Sequence, residues 1–300
     1  MRLCGMTLVE RLVREARRGG AERVLIRGYY GSVPGADRVT EVPADAEVVR
    51  GDILLGIEIH DQRSRRRAEA ALLQTCRRPY DGIADRYLWR ALSLRITGLV
   101  ARTGITPNQV TVGAALLGLV ACGLVAVGER WAIALGGASL LVGLVLDSVD
   151  GELARVRHRF SRFGMVLDNV SDDVVDTLFL AAAGLATGGV WRAIGLAAAG
   201  ARVFVALVIY RGAARAGTPG DVLAFRWWFE RGQATDHVYG SPLAPLTLIR
   251  SLARHDAYVT LYGAFALAGW PLGVVLLGSV NAAAYLVIAS LHLVLERPPE

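Results

Sequence analysis

The stretch Leu146–Asp176, LDSVDGELARVRHRFSRFGMVLDNVSDDVVD, carries six aspartates: Asp147, Asp150, Asp168, Asp172, Asp173 and Asp176. The runs WAIALGGASLLVGLVL before it and VVDTLFLAAAGLATGG at its end are apolar enough for lipid. A carboxylate at the centre of a membrane helix costs about 2.5–3.5 kcal/mol on insertion scales, so a group of them calls for neutralisation. Asp147, Asp150 and Ala154 are spaced i, i+3, i+7 and share one helix face. Gly164, Asp168 and Asp172, at i, i+4, i+8, share another. Two antiparallel helices turning near His158 to Arg162 would bring both faces together. Oxygen-rich, histidine-free ligands suit Mg²⁺ or Mn²⁺ and not zinc. Small residues at Gly151 and Ala154 let a ligand approach the backbone, and Arg155 is placed to hold a phosphate. Two metal ions and an arginine around a phosphoryl group describe in-line phosphoryl transfer. Helix-end capping and solvated charge explain Asp147 and Asp150, but not the second face. Asp173 points off the shared stripe and reads as solvated or supporting, while Asp176 continues the stripe one turn deeper in a supporting role.

The elements that must position these groups read as membrane helices. The chain is 53% apolar with a mean hydropathy of +0.40. Helix one starts at Thr106-Pro107-Asn108, with proline at the first turn, and its run Val110 to Val127 has the length of one crossing. Further crossings are predicted at Trp131 to Leu146, Val166 to Gly188, Ala193 to Tyr210, Ala257 to Gly269 and Val274 to Leu295, the last two hinged at Trp270-Pro271. The arginines concentrate before crossing one, between two and three (Arg155, Arg157, Arg159, Arg162), and between four and five. The positive-inside rule then puts both termini and the carboxylate loop in the cytoplasm. The predicted fold class is an all-α membrane protein: a six-helix membrane domain over 106–300, a basic interfacial helix over 66–105, and a small cytoplasmic α/β unit over 1–65.

In that first unit, Thr7 caps a helix ending near Gly19-Gly20, Glu22 to Arg27 reads as a strand, and a second strand over Glu47 to Glu58 breaks at Gly51-Asp52. The opening MRLCGMTLVERLVREARRGG has no apolar core before a small-residue cleavage site, so no signal peptide is expected. In the juxtamembrane stretch, Leu88, Leu92, Leu94, Ile96, Leu99 and Val100 alternate with Arg86, Arg90, Arg95 and Arg102, the pattern of a helix lying in the headgroups. All 33 basic residues are arginine, which excludes a phosphate-loop lysine or a Schiff base. The net charge of +6 lies beside apolar runs, so it points to lipid headgroups or phosphate substrates and not to nucleic acid. Cys4, Cys76 and Cys122 lack metal-ligand spacing and read as free thiols.

The pattern Asp147-x2-Asp150-Gly151-x2-Ala154-Arg155-x8-Gly164-x3-Asp168-x3-Asp172 resembles, position for position, the signature of the CDP-alcohol phosphotransferases. The resemblance implies six membrane helices, a homodimer, and transfer of a phospho-alcohol from a CDP-alcohol to a second hydroxyl with release of CMP. It implies that Asp147, Asp150, Asp168 and Asp172 bind two Mg²⁺ or Mn²⁺ ions, with Asp172 also the base. Gly151, Ala154, Arg155 and Gly164 would hold the CDP part, and Asn108 and Thr111 of Thr106-Pro107-Asn108-x2-Thr111 resemble the family's first-helix motif near the nucleotide. Arg202 reads as a partner of Asp176 or as an acceptor-phosphate ligand. Arg254, in Arg254-His255-Asp256, reads as a ligand of the acceptor's anionic group.

The N-terminal unit resembles a fragment of the sugar-nucleotide transferase domain fused to inositol-type members, as does RRPYDGIADRYLWRALSLRI. It lacks a glycine-rich nucleotide loop and reads as non-catalytic. His158, His237 and His292 have no partners at ligand spacing, and Trp227, Trp228 and Phe229 read as an interfacial aromatic belt. Competing readings are a divalent-cation transporter, which would spread charge across the bilayer depth, and a non-catalytic scaffold, which would not need the whole motif. The donor reads as CDP-diacylglycerol or CDP-inositol type, and the acceptor as a small or inositol-type alcohol.

Overall fold

A computed structural model describes residues 2–4, 6–21, 24–26, 36–38, 53–55, 57–77, 84–222, 225–230 and 254–295 of the 300-residue chain. It divides into two compact units. One combines Met1–Arg78, Leu94–Pro107 and Val149–Phe160, and the other Pro79–Ser93, Asn108–Ser148 and Ser161–Glu300.

The first unit opens with β1 (Arg2–Leu3) antiparallel to β2 (Met6–Thr7). Thr7 caps α1 (Leu8–Arg18) as expected, its hydroxyl accepting from the Glu10 amide at 3.1 Å, and Gly19 ends the helix. Of the strand expected over Glu22 to Arg27, Leu25–Ile26 (β3) pairs in parallel with Asp37–Arg38 (β4), while Glu22, Arg23 and Arg27 lie outside the described residues. The second expected strand is a hairpin where it is described. β5 (Ile53–Leu54) and β6 (Ile57–Glu58) pair antiparallel across Leu55, whose φ of 51° reverses the chain, and the expected break at Gly51-Asp52 lies outside the described residues. Leu3, Leu8, Leu54, Ile59 and Ala68 form the small apolar core, the last from α2 (Gln62–Gln74).

So small a core is helped by buried polar links. Two further helices end in this unit: α3 (Arg90–Val100) and α5 (Arg130–Val156). On α5 the fully buried Glu152 accepts from the Thr97 hydroxyl at 2.6 Å. Arg157 donates to the carbonyls of Val100 (3.1 Å), Ala101 (3.0 Å), Thr103 (2.5 Å) and Ile105, closing the carbonyl-rich end of α3.

The single interfacial helix expected across 66–105 is instead α2 followed by a wide turn, Asp85–Trp89, that runs into α3. Leu88, Leu92 and Leu99 are exposed, as contact with headgroups would require. Arg90, Ser93, Leu94 and Thr97 make the buried face, so it is polar as well as apolar.

The second unit is helical: α4 (Pro107–Ala126), most of α5, α6 (Arg162–Thr187), α7 (Gly189–Arg215), α8 (His255–Leu267) and α9 (Pro271–Leu295). A helix thus occupies each predicted crossing. By length and composition α4, α5, α7 and α9 can cross a membrane. α6 is long enough but carries the carboxylates, and the 13-residue α8 extends only about 20 Å. The helix of the second predicted crossing does not stop at Leu146, because α5 continues unbroken to Val156. α6 packs on α7, and both pack on α9. Gly184 and Gly195 bring α6 and α7 together: a Cβ on Gly184 would lie 3.0 Å from the Gly195 Cα. Such small-residue contacts replace the missing hydrophobic drive between helices in lipid. The core includes Phe179, Leu180, Tyr262, Val274 and Val275.

Candidate active site

Ser161 caps α6, its hydroxyl accepting from the Gly164 amide at 2.9 Å, and so sets Asp168 and Asp172 on the second and third turns. α5 presents Asp147, with carboxylate oxygens of Asp147 and Asp168 within 4.8 Å of one another. Asp147, Asp172 and His255 also offer ligand atoms within 4.8 Å of one another. Asp150 follows Asp147 by one turn of the same helix and is buried.

Asp147 and Asp172 line a cavity of ≈ 410 Å³ empty volume, part of it open to solvent. Its walls come from α4 (Thr111, Ala114, Ala115, Gly118), α5 (Leu140, Gly143, Leu144), α6 (Ser171, Val175, Asp176) and α8 (His255, Val259). Thr111, of the first-helix motif, thus lines the same cavity as Asp147 and Asp172. Asn108, one turn earlier on α4, packs on Gly164: a Cβ there would sit 2.6 Å from Asn108 Oδ1. Any larger residue at 164 would displace the amide. On the last turns of α5, the Arg155 guanidinium folds over Gly151, whose Cβ position lies 3.2 Å from Nη1. Gly151, Ala154 and Arg155 are thus gathered on one stretch of helix.

A buried network supports the cavity. Asp176, 2% exposed, accepts from the Tyr258 hydroxyl at 2.5 Å and from Arg202 Nη2 at 3.0 Å. The Arg202 guanidinium also lies 5.0 Å from the Tyr258 ring centre. Of its two expected roles, the structure shows the pairing with Asp176. His255 Nε2 is 3.3 Å from Asp176 Oδ2 and 4.0 Å from Asp172 Oδ2. Asp173 is not simply solvated, because it accepts from the Tyr210 hydroxyl at 2.8 Å. Arg254 begins α8 with its Nε 3.4 Å from Asp256 Oδ1.

The sequence reading missed His255. No local spacing announces it, since it comes from a helix far along the chain. The only signal was its place beside Arg254 and Asp256. His292 packs against Phe225 (5.0 Å) and Trp227 (5.5 Å), so Trp227 belongs to a half-buried cluster, while Phe229 is exposed. His237 lies outside the described residues. The donor set at the cavity is dominated by carboxylate oxygens, which fit a hard divalent cation.

Comparison with known proteins agrees with this geometry. A family model described as CDP-alcohol phosphatidyltransferase matches residues 104–275. A bifunctional IPC transferase and DIPP synthase from Thermococcus kodakarensis is 37% identical over 107 residues, 36% of this chain and 24% of the relative. One of the same name from Aquifex aeolicus is 43% identical over 102 residues, 34% of this chain and 23% of the relative. An archaetidylinositol phosphate synthase from Pyrococcus horikoshii is 39% identical over 98 residues, 33% of this chain and 50% of the relative. The matches therefore span between a quarter and half of these relatives. The family match runs over the helices that carry the aspartates, four helices have the length and apolarity of membrane spans, and the chain belongs to the CDP-alcohol phosphatidyltransferase family as an integral membrane protein.

Proposed function

We propose that this chain transfers a phospho-alcohol from a CDP-alcohol to the hydroxyl of a second alcohol and releases CMP. The observation that supports this is the meeting of Asp147 and Asp172 at a cavity that Thr111 also lines, with a carboxylate oxygen of Asp168 within 4.8 Å of Asp147. Asp147, Asp150, Asp168 and Asp172 would hold two Mg²⁺ or Mn²⁺ ions. Bound there, such ions neutralise the diphosphate and make its β-phosphorus more open to attack. Asn108, Thr111, Gly151, Ala154, Arg155 and Gly164 hold the CDP part. Asp172 takes the proton of the acceptor hydroxyl, whose oxygen attacks the β-phosphorus as the bond to CMP breaks. Arg202 and Asp176 hold the cavity floor, and Arg254 meets the acceptor's anionic group.

The names of the relatives support an inositol-type alcohol as one of the two substrates, with a donor of CDP-diacylglycerol or CDP-inositol type. We read six crossings, a homodimer, a cytoplasm-facing site with both termini on that side, and a non-catalytic N-terminal unit. The test is purified protein with Mg²⁺ or Mn²⁺ and a panel of CDP-alcohols paired with inositol, inositol phosphate and glycerol phosphate. CMP is expected from at least one pair and is abolished by chelation. No CMP from any pair would sink the reading and favour ion transport.

A further inference from the structure

The α5 helix ends on a residue whose conformation favours glycine. His158 has φ 48°. Its amide donates to the Arg155 carbonyl at 3.2 Å, and the Arg159 amide donates to the Ala154 carbonyl at 2.9 Å. This is the double closure that usually places glycine at the left-handed position, where a Cβ is penalised. A side chain kept there at a cost has a use elsewhere.

One face of α1 meets it. Arg11, Arg14, Glu15 and Arg18 fall at i, i+3, i+4 and i+7, a single stripe. The fully buried Arg11 donates from Nη2 to the Val156 carbonyl and places Nη1 3.3 Å from His158 Nε2. Arg14 donates to the Arg157 carbonyl at 3.0 Å. Glu15 Oε1 lies 3.4 Å from His158 Nε2, and Arg18 Nη1 3.3 Å from Nδ1, so the tautomer protonated on Nε2 donates to Glu15 and accepts from Arg18, while Arg11 Nη1 lies beside the ring without a hydrogen bond to it. The Arg157 amide closes on the Leu153 carbonyl at 3.0 Å. The carbonyls from Leu153 to Arg157 thus all find donors, the last two from α1. Burying an arginine is a poor way to gain stability and a good way to specify geometry.

The geometry points to α1 as a clamp on the phosphate-holding turn. Arg11 and Arg14 are positioning residues that act through the Val156 and Arg157 carbonyls at the end of α5 to hold Gly151, Ala154 and Arg155 for the CDP diphosphate. The same Ala154 and Arg155 that carry the motif supply the carbonyls that close the helix. This inference rests on the reading of that turn as CDP-binding, and it gives the N-terminal unit a part in the reaction without contact to substrate.

The experiment compares the full chain with Arg11→Met, His158→Gly and Leu54→Ala in lipid nanodiscs, measuring Mg²⁺-dependent CDP affinity, Tm and amide exchange. Arg11→Met is expected to weaken CDP binding about 10-fold and speed exchange over residues 154–160. Arg11→Lys recovers part of the affinity, because one donor still reaches the Val156 carbonyl. His158→Gly relieves the left-handed strain, so Tm holds or rises while CDP affinity falls. Leu54→Ala loosens the core of the same unit, lowers Tm and leaves CDP affinity unchanged. Wild-type CDP affinity and exchange in Arg11→Met would overturn the clamp and leave the transferase reading standing. Equal loss of affinity in Leu54→Ala would reduce α1 to a stabiliser. A wild-type chain that binds CDP but releases no CMP from any pair would sink the transfer reading alone, and one that binds no CDP would overturn both.

Discussion

Asp172 is the residue on which the proposed chemistry turns, because it faces both Asp147 and His255 at the cavity. Asp172→Asn is expected to lower the rate of CMP release about 10²–10⁴-fold, the range that a positioned base contributes. CDP affinity measured by calorimetry should fall far less, and equal losses in both would make Asp172 only a ligand. In the first unit, burial and the neighbouring Arg11 hold the His158 imidazole below its ordinary value of 6.5, against a weaker pull from Glu15. A histidine with a depressed folded pKa binds its proton more weakly in the fold than in the unfolded chain. Its neutral form therefore fits the clamp above pH 6.5, and stability is lost as pH falls below that value. Tm of the wild type should drop as pH falls below about 6.5, and His158→Gln should flatten that part of the curve. Burial, followed by Glu69, lifts the Cys4 thiol to about 11, which leaves it a poor nucleophile at neutral pH.

At the scale of elements, the Asp176–Arg202–Tyr258 network ties α6, α7 and α8 into one frame beneath the cavity. Arg202→Met would leave buried Asp176 with only the Tyr258 hydroxyl and His255 as partners among the described residues, at a cost of up to about 3–5 kcal/mol. Adding Asp176→Asn should restore much of that loss, as read in a denaturant titration of the double-mutant cycle. Additive losses would show that the two side chains act separately. Some helix starts were legible from local pattern: Thr7 and Pro107 each start a helix where their chemistry says they should, while the Ser161 cap of α6 lies inside the stretch read as a turn. α5 runs through its carboxylates, as the shared face of Asp147, Asp150 and Ala154 requires, so the helix outlasts its apolar run. The juxtamembrane stretch did mislead, since the arginines read as part of a helix in the headgroups include Arg90, whose side chain is buried.

For the whole molecule, the arginine distribution predicts a sidedness open to direct test. Single cysteines introduced at Arg130 and Arg192 are expected to react with an impermeant maleimide from outside intact cells, while one at Arg159 reacts only after permeabilisation. The opposite pattern would invert the topology. A further single cysteine at Trp270 decides whether α8, with 13 residues, completes a fifth crossing with the Trp270-Pro271 hinge: labelling from outside supports the crossing, and labelling only after permeabilisation opposes it.

The sequence alone determined the membrane class, some helix starts and the full carboxylate motif, because each rests on spacing within one or two turns of helix. The alternation of Asp147 with Asp150 and of Asp168 with Asp172 is a property of a 3.6-residue period and needs no long-range contact. Tertiary structure decided which distant groups meet these residues. His255 joins Asp172 and Asp147 only because α8 packs beside the cavity. Arg202 chooses Asp176 for the same kind of reason, through the placing of α7. Arg11, Arg14 and Arg18 look in sequence like one solvated basic face. Their function appears only when the chain brings α1 to the end of α5, where carbonyls without helical partners need donors.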